Sequence, residues 1–247
     1  MRLRCLPIAR HSHPGQFVNL KISDGLVPLL RKPFSVCRRD AEEGWFEILW
    51  KIVGAGTLMM SKYRCGDVVN VLGPLGKGFF LPSGTERAVL VGGGIGVAPL
   101  PFLCEELLES GVRVHVFLGA RQREELCMVE FFERLGVQIV VTTEDGSVGR
   151  RGKITEPLLE KMNEWRASAS THLFSCGPTG FLKAMMKMTE EFGVGGQVSL
   201  ETVMGCGFGI CVGCPVKRKN PGKDEALYQL TCIEGPVFDA RDVELND

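Results

Sequence analysis

The sequence has no run of apolar residues near the roughly 18 that a membrane-spanning helix needs. Its first residues, MRLRCLPIARHSHPG, lack the apolar core of a signal peptide. Acidic and basic side chains balance at 29 each in 247 residues, so no general electrostatic attraction to nucleic acid or anionic lipid is expected. No internal repeat or low-complexity segment is present. We therefore expect a cytoplasmic globular protein that binds neither nucleic acid nor membrane.

Cysteine and glycine, in contrast, are abundant, with 10 and 31 residues respectively. In a reducing cytosol, thiols serve as metal ligands, redox groups or core residues more often than as disulfides. Cys206, Cys211 and Cys214 follow a C-x4-C-x2-C spacing, and Cys232 follows after 17 intervening residues. This is the plant-type spacing of a [2Fe–2S] cluster. The loop glycines allow tight turns and bring N–H groups towards sulfur; they are Gly205, Gly207, Gly209 and Gly213.

Two other interpretations of the cysteines compete with the cluster. Four buried cysteines can pack as small apolar side chains. A zinc site usually has two C-x2-C pairs, whereas this segment has one. The remaining six cysteines are scattered and are expected mostly in the core. Cys176 differs because its SCGP segment ends a predicted strand at the expected cofactor edge.

The pattern of apolar residues divides the chain into three predicted domains. Residues 1–85 contain short strands and turns, which predicts a small antiparallel β-barrel or sandwich. Residues 86–195 alternate strands with helices, which predicts a parallel α/β sheet. Residues 196–247 lose this alternation and carry the four spaced cysteines. The predicted fold class is mixed β and α/β with a small C-terminal domain.

A glycine-rich loop, VLVGGGIGVAP, follows a predicted strand and opens a helix. Glycines there permit close approach of a phosphate to the backbone, and the helix N-terminus favours its charge; they are Gly92, Gly93, Gly94 and Gly96. The G-x-G-x-x-G pattern is imperfect because Val97 stands at the third position. A plain strand–helix turn is nearly as good an interpretation. Cys176, Gly177 and Pro178 on a later strand favour the dinucleotide site. No acidic residue selects NAD over NADP.

The segment LRKPFSV falls between two predicted barrel strands. Arg31 and Lys32 are placed to meet a pyrophosphate, and Ser35 to bond a flavin edge. The residues alone favour a charged edge strand ending at a proline.

Taken in order, RKPFS, GAGT, GPLGKGF, GGGIGVAP, SCGPTGF and the four cysteines resemble the ferredoxin–NADP reductase superfamily. More narrowly, the chain is similar to the iron–sulfur flavoproteins that act as electron-transfer subunits of dihydroorotate dehydrogenase B. The resemblance implies a barrel that binds FAD, an α/β domain for the nicotinamide and a [2Fe–2S] domain. It implies cluster ligands at Cys206, Cys211, Cys214 and Cys232. The implied FAD contacts are Lys32, Pro33, Phe34, Ser35, Leu49, Trp50, Lys51, Gly56 and Thr57.

Two positions depart from the family pattern. Lys32 stands where the family has arginine, so a phosphate contact loses the bidentate fork or passes to Arg31. Trp50 and Lys51 replace a tyrosine–arginine pair, and Trp50 can still cover a flavin or adenine face.

The resemblance also implies a function and a partner. Electrons from dihydroorotate would reach FMN in a separate catalytic subunit and pass through this chain's cluster and FAD to NAD+, within a heterotetramer that serves pyrimidine biosynthesis. No acid–base group for dihydroorotate oxidation is visible, so we assign no catalytic residue here. The main alternative is a subunit of a related NAD(P)H-dependent ferredoxin or sulfide oxidoreductase. A redox sensor without turnover and a zinc-stabilised binding module are two further alternatives.

Overall fold

The computed structural model describes residues 1–165 and 170–245. Its N-terminal part is a curled five-stranded antiparallel sheet. Its strand order is β1-β4-β3-β2-β5. Register shifts in the β2–β5 and β3–β4 pairs bend the strands, as β-bulges do. The strands are β1 (Arg2–Arg4), β2 (Phe17–Lys21), β3 (Lys32–Asp40), β4 (Trp45–Ile48) and β5 (Asn70–Leu75).

Two short helices that the sequence analysis missed accompany this sheet, α1 (Leu6–His11) and α2 (Ala55–Met60). Two further details differ from expectation. Lys32 and Pro33 begin β3, which lies inside the sheet between β4 and β2, so the edge-strand interpretation is wrong. The strand predicted over WFEILWKIV ends at Ile48 because the chain turns away to reach α2, and residues 49–53 are irregular.

The central part alternates strands and helices as predicted. Its strands are β6 (Arg87–Gly93), β7 (Arg113–Ala120), β8 (Gln138–Thr143), β9 (Arg150–Arg151), β10 (Thr171–Cys176) and β11 (Gly195–Ser199). Its helices are α3 (Leu100–Glu109), α4 (Val129–Arg134), α5 (Thr155–Trp165) and α6 (Thr179–Phe192). The helix predicted over ELCMVEFFERLG is shorter, since Met128 adopts a left-handed φ of 66° just before α4.

The C-terminal part adds β12 (Pro215–Arg218), β13 (Tyr228–Leu230), β14 (Val237–Asp239) and β15 (Val243–Glu244). β12 pairs with β13 and β15 in a small antiparallel sheet. β14 instead pairs with β11, and both belong to a seven-stranded sheet of order β14-β11-β10-β6-β7-β8-β9. The segment expected to carry the cysteines therefore also supplies two strands of the central sheet.

The order of the central strands locates the expected ligand edge. From β6 the chain runs outward through β7 and β8, then returns to β10 on the other side of β6. Ligands of open α/β sheets bind beyond the carboxyl ends of the strands at such a reversal. The glycine-rich loop after β6 and the SCGP segment after β10 meet there.

Apolar side chains fill both faces of the central sheet. One cluster packs α3 and α4 against it, and a second packs α5 and α6 against the opposite face. The mixed β and α/β fold class is confirmed. Within residues 1–165 and 170–245, no helix has the length and apolar character to cross a membrane.

Candidate functional site

A cavity of about 300 Å³ lies where the N-terminal sheet, the end of β10 and the cysteine-bearing segment meet. The structure brings most of the expected flavin residues together here. Those lining it are Pro33, Phe34, Ser35, Leu49, Trp50, Lys51 and Thr57. Cys176, which was assigned to the nicotinamide side, lines the same cavity. A mostly apolar cavity with a few polar groups is the usual form of a cofactor site.

Lys32 and Gly56 lie outside the lining but contact each other. A Cβ on Gly56 would lie 3.5 Å from Lys32 Cε, so this glycine lets the lysine stem pass close to α2. Arg31 is engaged elsewhere: its guanidinium donates to Asn19 O at 3.2 Å and to Asn70 Oδ1 at 2.7 Å. Of these two neighbouring cations, Arg31 is thus bonded to β2 and β5, whereas the Lys32 ammonium makes no such bond to either strand.

The irregular segment 49–53 is fixed at two points. Thr57 Oγ1 accepts hydrogen bonds from the N–H groups of Val53 at 2.9 Å and Gly54 at 3.2 Å, which holds the turn into α2. Lys51 Nζ lies 2.9 Å from Glu125 Oε1, across to the loop after β7. The hydrogen bond from Lys51 lowers the pKa of Glu125. These contacts place Trp50 and Lys51 at the cavity without a strand.

The glycine-rich loop divides into packed and open positions. A Cβ on Gly96 would lie 2.5 Å from Cys176 O, and one on Gly92 would lie 3.0 Å from Leu118. Gly93 faces Pro178 at 3.2 Å by the same measure. Gly94 has a φ of 56° and open space in front of it. Tight packing explains three of the glycines, and Gly94 leaves open space beside its backbone that suits a phosphate.

Segment SCGP stands between two cavities. Gly177 and Pro178 line a second one of about 350 Å³, next to the first. Leu200, Glu201 and Thr202 line both cavities. Burial raises the pKa of Glu201. The sequence offered no signal for these three residues, because they follow β11 in a segment without a recognisable motif.

The thiol of Cys176 is held neutral. Its burial, with Glu201 as the second cause, raises the pKa to about 12, although a hydrogen bond with Ser199 opposes the shift. A protonated thiol is a weak nucleophile. Cys176 therefore lines the cavity with a small, neutral and polarizable thiol.

The four spaced cysteines form an outer and an inner pair. In the outer pair, Cys206 Sγ accepts N–H bonds from Phe208 and Cys211 at 3.4 Å, and Cys211 Sγ accepts one from Cys206 N at 3.4 Å. The N–H bonds from Cys211 and Phe208 to its sulfur lower the pKa of Cys206 to about 6. The inner pair, Cys214 and Cys232, is buried. Desolvation is the larger cause that raises the pKa of Cys232 to about 12, and the neighbouring Cys214 adds to the shift.

This donor set fits a [2Fe–2S] cluster. The group needs four thiolates, two for each iron, and N–H bonds to sulfur stabilise the thiolate form. The glycines keep the loop close: a Cβ on Gly205 would lie 3.2 Å from Cys211 Sγ. In the described part of the chain, no three His, Cys, Asp or Glu side chains are grouped as for a single metal ion.

The loop that carries the thiols packs against β2 of the N-terminal sheet. Asn19 Nδ2 donates to Cys206 O at 2.9 Å. Phe17 and Met204 are buried in one cluster with Cys214 and Cys232. Phe17 and Met204 also line the cavity. The sequence analysis missed both, since Phe17 is one apolar residue in an alternating strand and Met204 precedes the cysteine pattern.

Comparison with family models matches two of the three parts. Residues 201–244 match the iron–sulfur cluster binding domain of dihydroorotate dehydrogenase B. Residues 90–187 match the oxidoreductase NAD-binding domain. The first match contains all four spaced cysteines, and the second contains the glycine-rich loop and the SCGP segment.

Curated relatives match nearly the whole chain. The electron transfer subunit of dihydroorotate dehydrogenase B (NAD(+)) from Desulforamulus reducens is 40% identical over 231 residues, covering 94% of this chain and 86% of the relative. The subunit of the same description from Fusobacterium nucleatum subsp. nucleatum is 38% identical over 234 residues, covering 94% and 87%.

Among solved structures, an NADH-dependent reduced ferredoxin-NADP oxidoreductase, described for flavin-based electron bifurcation, superposes with a TM-score of 0.82 at 30% identity. The match covers 98% of this chain and 83% of that one. The ferredoxin reductase of carbazole 1,9a-dioxygenase shares the fold, with a TM-score of 0.65 at 20% identity over 78% of this chain and 60% of its own.

Proposed function

The chain belongs to the family of electron transfer subunits of NAD(+)-dependent dihydroorotate dehydrogenase B, and from this membership we propose how its residues hold the cofactors and which partner it serves. It is an oxidoreductase that uses FAD, a [2Fe–2S] cluster and NAD. When bound, FAD would supply hydride chemistry with nicotinamide, and with the one-electron cluster it would link two-electron to one-electron chemistry. Phe17 and Met204 line the cavity of the expected flavin residues and also pack with Cys214 and Cys232, and this shared packing is the observation that supports this function most directly.

The flavin is proposed to occupy the cavity. Pro33, Phe34 and Ser35 of β3 form one wall, and Ser35 supplies a hydroxyl that can donate or accept a hydrogen bond. Trp50 offers an aromatic face, and the exposed ammonium of Lys51 faces Glu125. Lys32 and the turn at Gly56 and Thr57 are proposed to contact the phosphates. The apolar lining keeps water from the reacting edge.

The nicotinamide nucleotide is proposed to lie over the reversal point of the central sheet. Gly94 offers its open backbone to a phosphate, while Gly92, Gly93 and Gly96 keep the loop close to β10. Cys176, Gly177 and Pro178 would border the nicotinamide, since this segment passes between the two cavities. This arrangement brings the nucleotide to the flavin wall that Cys176 forms.

The cluster is proposed to be held by Cys206, Cys211, Cys214 and Cys232. The inner pair lies towards the flavin cavity through Phe17 and Met204. The outer pair lies towards the surface, where Cys211 is exposed. One side of the site therefore faces the flavin, and the other faces a docking protein.

We define the thiol-side apolar face as the exposed hydrophobic residues around the outer pair: Val203, Phe208, Ile210, Val212 and Ile233. Ile233 adjoins the loop, because a Cβ on Gly209 would lie 2.9 Å from it. Residues 202–214 contain no charged side chain. An exposed apolar patch of this kind suits a stably bound partner, whereas a diffusing acidic carrier is steered by opposite charge.

The partner proposed for this face is the FMN-containing catalytic subunit of dihydroorotate dehydrogenase, in a heterotetramer. The relatives' description as electron transfer subunits implies that some catalytic partner exists. Because no acid–base group for dihydroorotate oxidation is assigned in this chain, that step belongs to the partner. Electrons would then reach the outer thiols and leave at the nicotinamide.

The test is to purify the native complex, identify its second subunit and assay the two together and apart. The chain alone should oxidise NADH with an artificial acceptor and should not oxidise dihydroorotate. Adding the second subunit should permit dihydroorotate-dependent reduction of NAD+. Oxidation of dihydroorotate by the chain alone contradicts the proposal.

A ferredoxin-linked oxidoreductase subunit remains the second candidate, because the ferredoxin-NADP oxidoreductase structure matches over 98% of this chain. The same purification decides between the two. Recovery of a ferredoxin-reducing partner, with no stimulation by dihydroorotate, supports the second candidate.

A further inference from the structure

Two side chains belong both to the flavin cavity and to the core around the inner thiols. Phe17 is 3% exposed and Met204 is 9% exposed, and both pack with Cys214 and Cys232. Both also line the cavity. Leu230 packs against the same core but does not line the cavity. Phe17 and Met204 thus form a layer that the two sites share.

The layer is held from several directions. Phe17 lies in β2, paired with Ser35 of β3 on one side and Leu75 of β5 on the other. A Cβ on Gly76 would come within 3.0 Å of the Phe17 ring. The hydrogen bond from Asn19 to Cys206 O fixes the thiol loop to the same strand. The sheet therefore fixes Phe17, and the bond from β2 holds the loop that carries Met204.

We propose that Phe17 and Met204 form the contact through which single electrons cross between the flavin cavity and the inner thiol pair. This inference rests on the proposed flavin and cluster residues. Electron tunnelling weakens far less with distance through packed atoms than across a gap. A void removes the atoms on one side of the contact outright. An aromatic ring and a polarizable thioether fill the space without a charge to desolvate.

The electrons balance with the established chemistry. With a one-electron dye such as ferricyanide as final acceptor, one NADH gives NAD+, one proton to water and two electrons. The two electrons cross the contact one after the other, and each reduces the cluster by one electron before passing to a dye molecule. Phe17 and Met204 are neither oxidised nor reduced, so they are positioning residues.

Replacement of Met204 tests the contact in the intact protein. Met204→Ala opens a gap, Met204→Leu retains the volume without sulfur, and Leu230→Ala is the matched control that loosens the thiol core away from the cavity. After rapid mixing with NADH, flavin bleaching is followed optically and cluster reduction by freeze-quench EPR. Met204→Ala should slow cluster reduction on the order of tenfold, with Met204→Leu and Leu230→Ala near the wild-type rate.

Three further measurements distinguish the loss of this electron-transfer contact from general damage to the cluster site. In Met204→Ala, the midpoint potential of the cluster, its visible circular dichroism and its direct reduction by dithionite should match the wild type. If Met204→Ala loses its cluster, Phe17→Leu takes its place with the same expected slowing. Cluster reduction at the wild-type rate in every variant overturns the inference, as does equal slowing in Leu230→Ala. Failure of NADH to bleach the wild-type flavin instead contradicts the proposed function.

Discussion

At the scale of single residues, the four spaced cysteines and the two side chains packed behind them differ in how they can be recognised. The spacing of Cys206, Cys211, Cys214 and Cys232 suggests a cluster because ligand spacing in one loop is a local property. Phe17 and Met204 have no such spacing, and their role emerges only when β2 and the thiol loop meet across nearly the whole chain. Arg31 is a different case. The sequence made its guanidinium a candidate for a phosphate contact, but in the structure it donates hydrogen bonds to Asn19 and Asn70.

Replacing one outer thiol should remove the cluster and leave the flavin in place. In Cys206→Ser, the side chain that accepts N–H bonds from Phe208 and Cys211 becomes a poor iron ligand. We expect loss of most iron and acid-labile sulfide, measured per mole of protein, with full FAD content. Cys65→Ser, at an exposed cysteine outside the pattern, is the control and should retain both. A full iron content in Cys206→Ser contradicts the ligand assignment.

His172 in β10 should make the protein less stable in acid. Gln197 Nε2, a donor, lies 2.9 Å from His172 Nε2, so the ring must accept and be neutral. Burial lowers the pKa of His172 to about 4, while nearby Asp239 opposes the shift and Arg241 supports it. The unfolded chain, with an ordinary histidine pKa near 6.5, binds the proton first as the pH falls. Stability is therefore lost between about pH 6.5 and pH 4.

The measurement is urea unfolding of the wild type and His172→Gln at pH 7 and pH 5. The wild type should lose about 2 kcal/mol more of its unfolding free energy than the variant over this interval. Comparing the two proteins cancels the titration of groups that they share. Equal losses in the two proteins would show that His172 is not the group responsible.

At the scale of elements, periodicity predicted β6, β7, β8 and β10 of the central sheet and its long helices, but not β9, β11 or β14. It missed α1 and α2 because each has six residues, too few for a helical period to be recognised. It also extended β4 past Ile48, since Trp50, Ile52 and Val53 are residues that favour strands. Contacts across the molecule, such as Lys51 with Glu125, determine the path of that segment instead.

The junction of β3 and α3 should carry measurable coupling between the two main parts. Arg38 Nη2 lies 3.1 Å from Glu105 Oε1, and its guanidinium carbon is 4.6 Å from the centre of the Phe131 ring. Desolvation raises the pKa of Glu105, which Arg38 opposes. Arg38→Ala leaves a half-buried carboxylate without this partner and should cost about 1–3 kcal/mol.

A double-mutant cycle of Arg38→Ala and Glu105→Gln, followed by urea unfolding, isolates the pair. We expect a coupling of roughly 1 kcal/mol, since both side chains are about one-quarter exposed. Arg2→Ala, at an ion pair with Glu47 that is half exposed on the arginine side, is the matched control with little expected change. Additive effects of Arg38→Ala and Glu105→Gln would show that the junction does not depend on this pair.

At the scale of the whole molecule, the proposed electron route depends on how the three parts of the chain are arranged. The route needs the inner thiols next to the flavin cavity and the outer thiols at a docking surface. The first arrangement results from the packing of the thiol loop on β2, and the second from the exposed residues beside it. Neither arrangement is a local pattern, so the sequence predicted the groups without their orientation.

A charge placed on the thiol-side apolar face should separate docking from cofactor chemistry. Ile210 is 76% exposed between the outer cysteines, so Ile210→Asp should fold normally and retain FAD and cluster. Burying an unpaired carboxylate in an apolar interface is costly, so affinity for the catalytic subunit should fall on the order of tenfold or more. Leu159→Asp, on α5 and 39% exposed, is the matched control and should bind as the wild type.

Binding is measured by titration of the two purified subunits, and NADH oxidation with an artificial acceptor should be unchanged in both variants. Full affinity in Ile210→Asp would place the partner on another surface, and equal loss in Leu159→Asp would show a nonspecific effect of charge.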